Sequence, residues 1–183
     1  FEKVIAFAKK YKILVLHDAA YSEYYFSGDK AFSFLAVEGA KDLGLEINSL
    51  SKSFSLAGAR IAYFVGNAQA IEILRRLKSN LDYGVFAPIQ EAAITALNNA
   101  ELRAVFRARH QVMTEGLQEN GWKVGPSDGG MFVWAKYPQA MSDQDFVLHA
   151  IEESGIMMVP GSAFGSEGEG YVRIALVQDL AIL

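Results

Sequence analysis

The chain has 183 residues, of which 51% are hydrophobic, so it can build the core of one large domain or of parts of two. Its formal net charge of −4 argues against broad nucleic-acid binding, and the absence of cysteine excludes disulfide bonds and thiolate metal sites. No apolar run reaches the roughly 18 residues that a membrane span needs, and we expect a cytoplasmic protein.

The first part of the chain alternates helix and strand. Apolar spacing predicts a helix over Glu2–Tyr11. An almost wholly apolar strand over 12–17 follows, as is typical of a strand buried on both faces of an α/β sheet. Further strands are predicted over 46–50 and 60–66. Their short connection favours antiparallel pairing, so the sheet should be mixed.

Helices dominate the middle of the chain. Asn67 is in the position of an N-cap for a helix that runs to Lys78. Pro88 suits the first turn of the next helix, which ends near residue 98. A long charged helix is then predicted over 101–120.

The sequence after residue 120 predicts a separate α+β layer. A helix opens at Ser142 and stops at Gly155. Four strands are predicted over 122–124, 130–136, 156–159 and 171–176. We therefore expect two domains, 1–100 and 101–183. Because the sequence opens at Phe1 in a helical pattern, we also expect it to be a piece of a longer protein.

The most informative segment is 49–60, which holds a lone lysine among serines. An amine can form a Schiff base with an aldehyde, while hydroxyls and a guanidinium can hold a phosphate. Pyridoxal 5′-phosphate (PLP) carries both groups. We therefore predict Lys52 as the lysine that forms the Schiff base, with Ser49, Ser51 and Arg60 at the phosphate. A solvated surface lysine is the alternative, which the serines and the strand-loop-strand context disfavour.

Three further residues suit such a site. Asp18 follows the first strand, and a carboxylate there would keep the pyridine nitrogen protonated. Tyr21 could donate a hydrogen bond to the ring oxygen of the cofactor. Arg173, within the apolar strand 171–176, could grip the α-carboxylate of an amino acid. The alternatives are a turn aspartate, a packed tyrosine and an arginine on the solvent face of a strand.

Other polar signals are weaker. His17, His110 and His149 lack the spacing of metal ligands, so we predict no metal site. His17 flanks Asp18, and the other two histidines lie on predicted helices. The glycine-rich segment 125–130 precedes a strand and is interpreted as a turn, not a phosphate cradle.

Three segments resemble the class I/II, fold-type I PLP-dependent aminotransferases along nearly the whole chain. They are HDAAYSEYYFSG (17–28), NSLSKSFSLAGARIAYFVGN (48–67) and YVRIALV (171–177). The resemblance implies Lys52 as Schiff-base lysine and proton shuttle, and Arg173 as the α-carboxylate clamp. The cofactor-binding residues that it implies are Asp18 at the pyridine nitrogen, Tyr21 at the ring oxygen, and Ser49, Ser51 and Arg60 at the phosphate.

The resemblance also implies how the chain is organised. Residues 1–100 would be the C-terminal part of the large PLP-binding domain, with a mixed, mostly parallel sheet. Residues 101–183 would be the small C-terminal domain, with the long helix that joins the two. Family members are about twice this length. They act as cytoplasmic homodimers and exchange amino groups between amino acids and 2-oxo acids in a ping-pong reaction.

A finer resemblance is to the branch that includes LL-diaminopimelate, aspartate and alanine aminotransferases. It rests on KSNLDYGVFAPIQEAAI (78–94) and GGMFVWAKYP (129–138). Met131 and Phe132, in the second of these segments, are predicted to line the mouth of the substrate site. Two alternatives remain open: a PLP-dependent carbon–sulfur β-lyase on the same fold, and a catalytically incomplete fragment or PLP-binding regulator domain.

Overall fold

The computed structural model describes residues 1–26, 32–98 and 102–183, without the side chains of Leu102 and Arg103. The chain divides into two compact units, Phe1–Leu102 and Arg103–Leu183. Each unit has its own sheet, of three strands in the first and four in the second. No helix among the described residues is both long enough and apolar enough to cross a membrane.

In the described residues the first unit has a three-stranded sheet, with helices before, between and after its strands. In chain order its elements are α1 (Glu2–Tyr11), β1 (Val15–Asp18), α2 (Ala40–Leu43), β2 (Gly44–Ser49), α3 (Leu50–Ser53), β3 (Ala62–Gly66), α4 (Ala68–Leu81) and α5 (Ala87–Leu97). Strand β2 is central, parallel to β1 and antiparallel to β3. The prediction of a mixed sheet is confirmed.

Strand β1 differs from the prediction. Lys12 takes a left-handed conformation (φ 53°) that ends α1, so the strand begins only at Val15. Its residues alternate between half-buried and exposed, and Leu16 is 58% exposed. The expected burial on both faces is therefore wrong for the described residues. In the part of the chain that the structure describes, the strand lies at the edge of the sheet and pairs with β2 alone.

The start of β2 passes close to the buried ring of Phe34, which belongs to the core of the first unit. A Cβ atom at Gly44 would lie 2.4 Å from Cε1 of Phe34, so only glycine lets the strand pass this ring. Phe34 is fully buried and packs with Ile5 and Ala40. The strand thus begins two residues before the predicted 46, and it ends one residue before 50, because Leu50 opens α3.

The second unit combines two α-helices with an antiparallel sheet. Its elements are α6 (Leu102–Glu119), β4 (Lys123–Val124), β5 (Phe132–Lys136), α7 (Asp143–Ser154), β6 (Val159–Pro160) and β7 (Tyr171–Ala175). The strand order is β4-β5-β7-β6, and α7 packs against β6 and β7. Tyr137, Phe146, Val147 and Val172 form its core. The first predicted residue of the long helix, Glu101, lies outside the described residues.

Helix caps follow the sequence closely. The side chain of Asn67 accepts a hydrogen bond from the backbone of Ala70 (2.9 Å), and Ser142 accepts one from Asp145 (3.2 Å). Gly155 ends α7 in the left-handed conformation (φ 67°). All three predicted termini are confirmed, because a cap is decided by residues within one turn of it.

Candidate active site

The topology of the first unit gathers the predicted cofactor residues at one edge of its sheet. Strands β1 and β2 are parallel, so their carboxyl ends share an edge, with Asp18 paired to Ile47. Ser49 ends β2 and pairs with Ala62, the first residue of the antiparallel β3. The chain between these two residues, 50–61, therefore leaves and returns at the same edge, where open α/β sheets bind ligands.

Lys52 lies in α3, a helix of only four residues, and its side chain is half-buried. Ser49 caps this turn, with its hydroxyl accepting a hydrogen bond from the backbone of Ser51 at 3.2 Å. The carbonyl oxygen of Lys52 accepts hydrogen bonds from the backbone of Ser55 (3.2 Å) and from the hydroxyl of Tyr24. One turn is too short to be stable alone, so such contacts hold the lysine in place.

Asp18 and Tyr21 lie in the turn that follows β1. Asp18 is exposed, and its Oδ1 accepts a hydrogen bond from the backbone of Ala20 at 3.2 Å. No ion pair of Asp18 occurs among the described residues. Tyr21 is also exposed, and its ring centroid is 6.3 Å from that of Tyr24. Both side chains can therefore reach a ligand beyond the sheet edge.

Arg60 ends the loop that follows Lys52. It is exposed and adopts a left-handed backbone conformation (φ 52°), which is unusual for a residue with a side chain. Its Nη1 donates to the carbonyl of Ala57 at 3.1 Å. A guanidinium has five N–H groups, so donors remain for an anion. With Ser49 and Ser51 it forms a set of donors suited to a phosphate.

A buried carboxylate in β2, that of Glu46, is a further polar group that the sequence did not predict. The Oε2 atom of Glu46 accepts hydrogen bonds from Nδ1 of His17 (3.2 Å), the hydroxyl of Ser33 (2.9 Å) and the backbone of Phe34 (3.0 Å). Its Oε1 accepts one from the side-chain amide of Asn48 (3.1 Å). A charged residue between Leu45 and Ile47, at the start of a predicted strand, was the signal available in the sequence.

Glu46 stays ionised because of these donors. Burial raises its pKa, but hydrogen bonds from Asn48, Ser33 and His17 outweigh burial and hold the pKa below its ordinary value. Asn48 in turn accepts a hydrogen bond from the hydroxyl of Ser22, at 3.1 Å. The carboxylate thus links β1, β2 and the turn after Asp18.

Arg173 belongs to the second unit, on β7. It is half-buried, and its guanidinium carbon lies 4.4 Å from the ring centroid of Phe132 and 4.6 Å from that of Phe164. It forms no ion pair with the described residues. A guanidinium held by aromatic faces keeps its edge for a carboxylate. The sequence had indicated the arginine but not Phe164, which is nine residues away.

The two residues predicted at the substrate mouth, Met131 and Phe132, have different surroundings in the structure. Phe132 contacts Arg173, whereas Met131 is 7% exposed and belongs to the core. Met131 is therefore a core residue, and a position of Phe132 at a substrate mouth stays a prediction. The backbone at 125–130 connects β4 to β5, as predicted for a turn.

The two histidines on helices have different surroundings. His149 is exposed on α7, and burial lowers the pKa of His110 on α6. The described residues include no cluster of three metal-ligating side chains.

Comparison with known proteins gives a consistent picture. The model of the family "Aminotransferase class I and II" matches residues 1–180. An LL-diaminopimelate aminotransferase of Halothermothrix orenii is 43% identical over 181 residues, which cover 96% of this chain and 46% of the relative. One from Oleidesulfovibrio alaskensis is 41% identical over 182 residues, covering 96% and 47%.

A solved structure is also similar to this chain in fold. Substrate-bound BacF from Bacillus subtilis superposes with a TM-score of 0.89 at 33% identity, over 98% of this chain and 47% of BacF. The chain therefore spans about half the length of the relatives that it matches.

Proposed function

Because the chain belongs to the class I and II aminotransferase family, we propose that it takes part in transferring an amino group from an amino acid to a 2-oxo acid. The family is PLP-dependent and has the fold-type I architecture, as the sequence predicted. The observation that carries the proposal is the gathering of an acid, a lysine and an arginine at one sheet edge: Asp18, Lys52 and Arg60.

The residues at this edge fit PLP by their chemistry. A carboxylate suits a protonated pyridine nitrogen, and Asp18 is free of ion pairs among the described residues. The hydroxyl of Tyr21 would hold the ring oxygen. Ser49, Ser51 and Arg60 would hold the phosphate. When bound, PLP supplies an electron sink for the charge that develops on the substrate α-carbon.

Lys52 would have two roles. Its amine would hold the aldehyde of the cofactor covalently until a substrate amine takes its place. The freed amine would then carry the proton that leaves the substrate α-carbon, first as a general base and then as a general acid. Both roles require the amine to stay within reach of the reacting carbons, and the half-buried turn α3 fixes the backbone from which the lysine side chain extends.

Arg173 would bind the α-carboxylate of the substrate. A guanidinium grips a carboxylate through two parallel hydrogen bonds, which fixes the orientation of the amino acid as well as its charge. Two of the matched relatives are named LL-diaminopimelate aminotransferases, so LL-diaminopimelate is the first donor to test. As part of the same proposal, the enzyme is a cytoplasmic homodimer.

The test uses the protein as its gene encodes it, with and without Lys52→Ala. We expect an absorbance band of lysine-bound cofactor in the unchanged protein, and borohydride reduction should leave PLP attached to the peptide containing Lys52. With a donor and a 2-oxo acid, the protein should form the new amino acid. No lysine-dependent band would refute the proposed site.

Two controls separate the alternatives. A β-lyase would release pyruvate and ammonia from a cysteine-type substrate without any 2-oxo acid. A regulator domain would bind PLP at Lys52 but turn over no donor in a panel that includes LL-diaminopimelate, aspartate and alanine.

A further inference from the structure

The turn that carries Asp18 and Tyr21 is bonded to the segment that carries Lys52 through three side chains with no role in the proposed reaction. The hydroxyl of Tyr24 donates to the carbonyl of Lys52. The hydroxyl of Ser22 donates to Asn48 at 3.1 Å, and a longer contact of 3.4 Å joins the hydroxyl of Ser53 to the carbonyl of Ala20. All three cross between the same two segments, which are 26 to 33 residues apart in sequence.

Tyr24 makes the most buried of these contacts. Its side chain is 4% exposed, although it lies in a turn and next to the exposed Tyr21. Burial, and to a smaller extent the neighbouring Tyr21, raise the pKa of Tyr24 above its ordinary value. The hydroxyl therefore keeps its proton at neutral pH and remains a donor.

The acceptor is the peptide group of the lysine itself. The carbonyl of Lys52 accepts backbone hydrogen bonds from Phe54 and Ser55, the two residues that follow the four-residue helix α3. Such an isolated turn lacks the repeated hydrogen bonds that stabilise longer helices. The added donor from a buried, rigid side chain ties this peptide to the turn after Asp18, and with it the direction in which the lysine side chain leaves the backbone.

We propose that Tyr24 is a positioning residue, whose hydrogen bond to the Lys52 carbonyl sets the lysine amine at the right place relative to Asp18 and Tyr21. Ser22 supports it by fixing the same turn to Asn48. The inference rests on the proposed function, because it concerns a cofactor held by Asp18 and Tyr21 while Lys52 bonds to its aldehyde. In this proposal Tyr24 acts through Lys52 and not on the cofactor or the substrate directly.

The test compares Tyr24→Phe with Tyr137→Phe in the gene-encoded protein. Tyr137 is also a buried tyrosine that donates to a backbone carbonyl, that of Met141 at 2.8 Å, but in the second unit. The two substitutions remove the same chemical group and should cost similar stability. We expect only Tyr24→Phe to slow the covalent bonding of added PLP to Lys52, by about two- to tenfold, as one lost hydrogen bond would.

Absorbance provides a second measurement that does not depend on turnover. The midpoint of the pH titration of the lysine-bound cofactor should shift in Tyr24→Phe and match the unchanged protein in Tyr137→Phe. Identical rates and titrations in all three proteins would overturn the inference. Should Tyr24→Phe fail to fold, Ser22→Ala tests the same turn, and it should change both measurements in the same direction.

The outcome can be separated from that of the proposed function. If the unchanged protein shows no band that Lys52→Ala abolishes, the proposed site itself is wrong. If that band is present and Tyr24→Phe leaves it unaltered, only the role of Tyr24 is wrong.

Discussion

The guanidinium of Arg173 lies against the ring of Phe132, with 4.4 Å between its central carbon and the ring centroid. Phe164 lies at 4.6 Å from the same carbon. Two aromatic contacts restrict the rotation of a long side chain and shield its flat faces from water. The planar edge, which bears the N–H groups, is what remains for a carboxylate.

Replacing Phe164 with leucine should weaken the binding of amino-acid substrates. The substitution keeps an apolar side chain but removes a cation–π contact worth about 0.5–2 kcal/mol, so we expect KM to rise about two- to thirtyfold. The maximal rate should change less, because the reacting groups would be untouched. Steady-state kinetics with a fixed 2-oxo acid would measure both constants.

Arg173→Lys provides the matched comparison for the same site. It keeps the charge but loses the planar, two-pronged geometry, so its KM should exceed that of Phe164→Leu. An unchanged KM in Arg173→Lys would show that Arg173 does not bind the α-carboxylate.

Glu46 should make stability depend on pH in acid. Its folded-state pKa lies below the ordinary value of 4.5, so its contribution is complete above that value and is lost as the pH falls through the folded-state pKa. At pH 7, Glu46→Gln should be destabilised by about 1–3 kcal/mol, because buried donors lose a charged acceptor. Urea unfolding at pH 7 and at stepwise lower pH would measure the difference.

The difference in the free energy of unfolding between Glu46→Gln and the unchanged protein should shrink as the pH falls below about 4.5. Glu38→Gln, at an exposed position of the same unit, is the control and should have little effect at either pH. If this difference in unfolding free energy stays constant down to pH 3, the ionised carboxylate of Glu46 does not stabilise the fold.

Gly44→Ala should destabilise the first unit strongly. The added Cβ would lie 2.4 Å from the ring of the fully buried Phe34 and 3.1 Å from the backbone oxygen of Val15. Overpacking of this kind costs about 1–3 kcal/mol, and more where backbone must move. Gly58→Ala is the matched control, because no atom lies within 4 Å of its added Cβ. Thermal unfolding of both variants would test the contrast, which equal midpoints would refute.

The proposed homodimer can be tested by light scattering. The gene-encoded protein should have twice the mass of its chain at micromolar concentration, and the mass should be unchanged in Lys52→Ala, since that substitution removes one amine from a half-buried turn. A single-chain mass at these concentrations would refute the dimer.

The sequence predicted the features that depend on residues close together in the chain. The caps at Asn67 and Ser142 depend on a residue three positions along, and the sequence indicated both. The partners of Glu46 lie up to 29 residues away, and Tyr24 is 28 residues from Lys52. Such contacts depend on the register between strands, which no periodicity in a single segment contains. The motif around Lys52 indicated a site but not the side chains that hold it.

The parallel register of β1 and β2 constrains the number of residues between β2 and Lys52. Asp18 is paired with Ile47, so Lys52 lies five positions along the chain from the partner of the acid. One residue inserted there would turn the end of β2 to the opposite face of the sheet or lengthen the turn after it, and would move the lysine away from the acid. An extra residue at Gly58 would lie between Ala57 and Arg60, whose guanidinium donates to the carbonyl of Ala57, and would displace a proposed phosphate donor. Length variation in related sequences is thus not expected between Ile47 and Arg60.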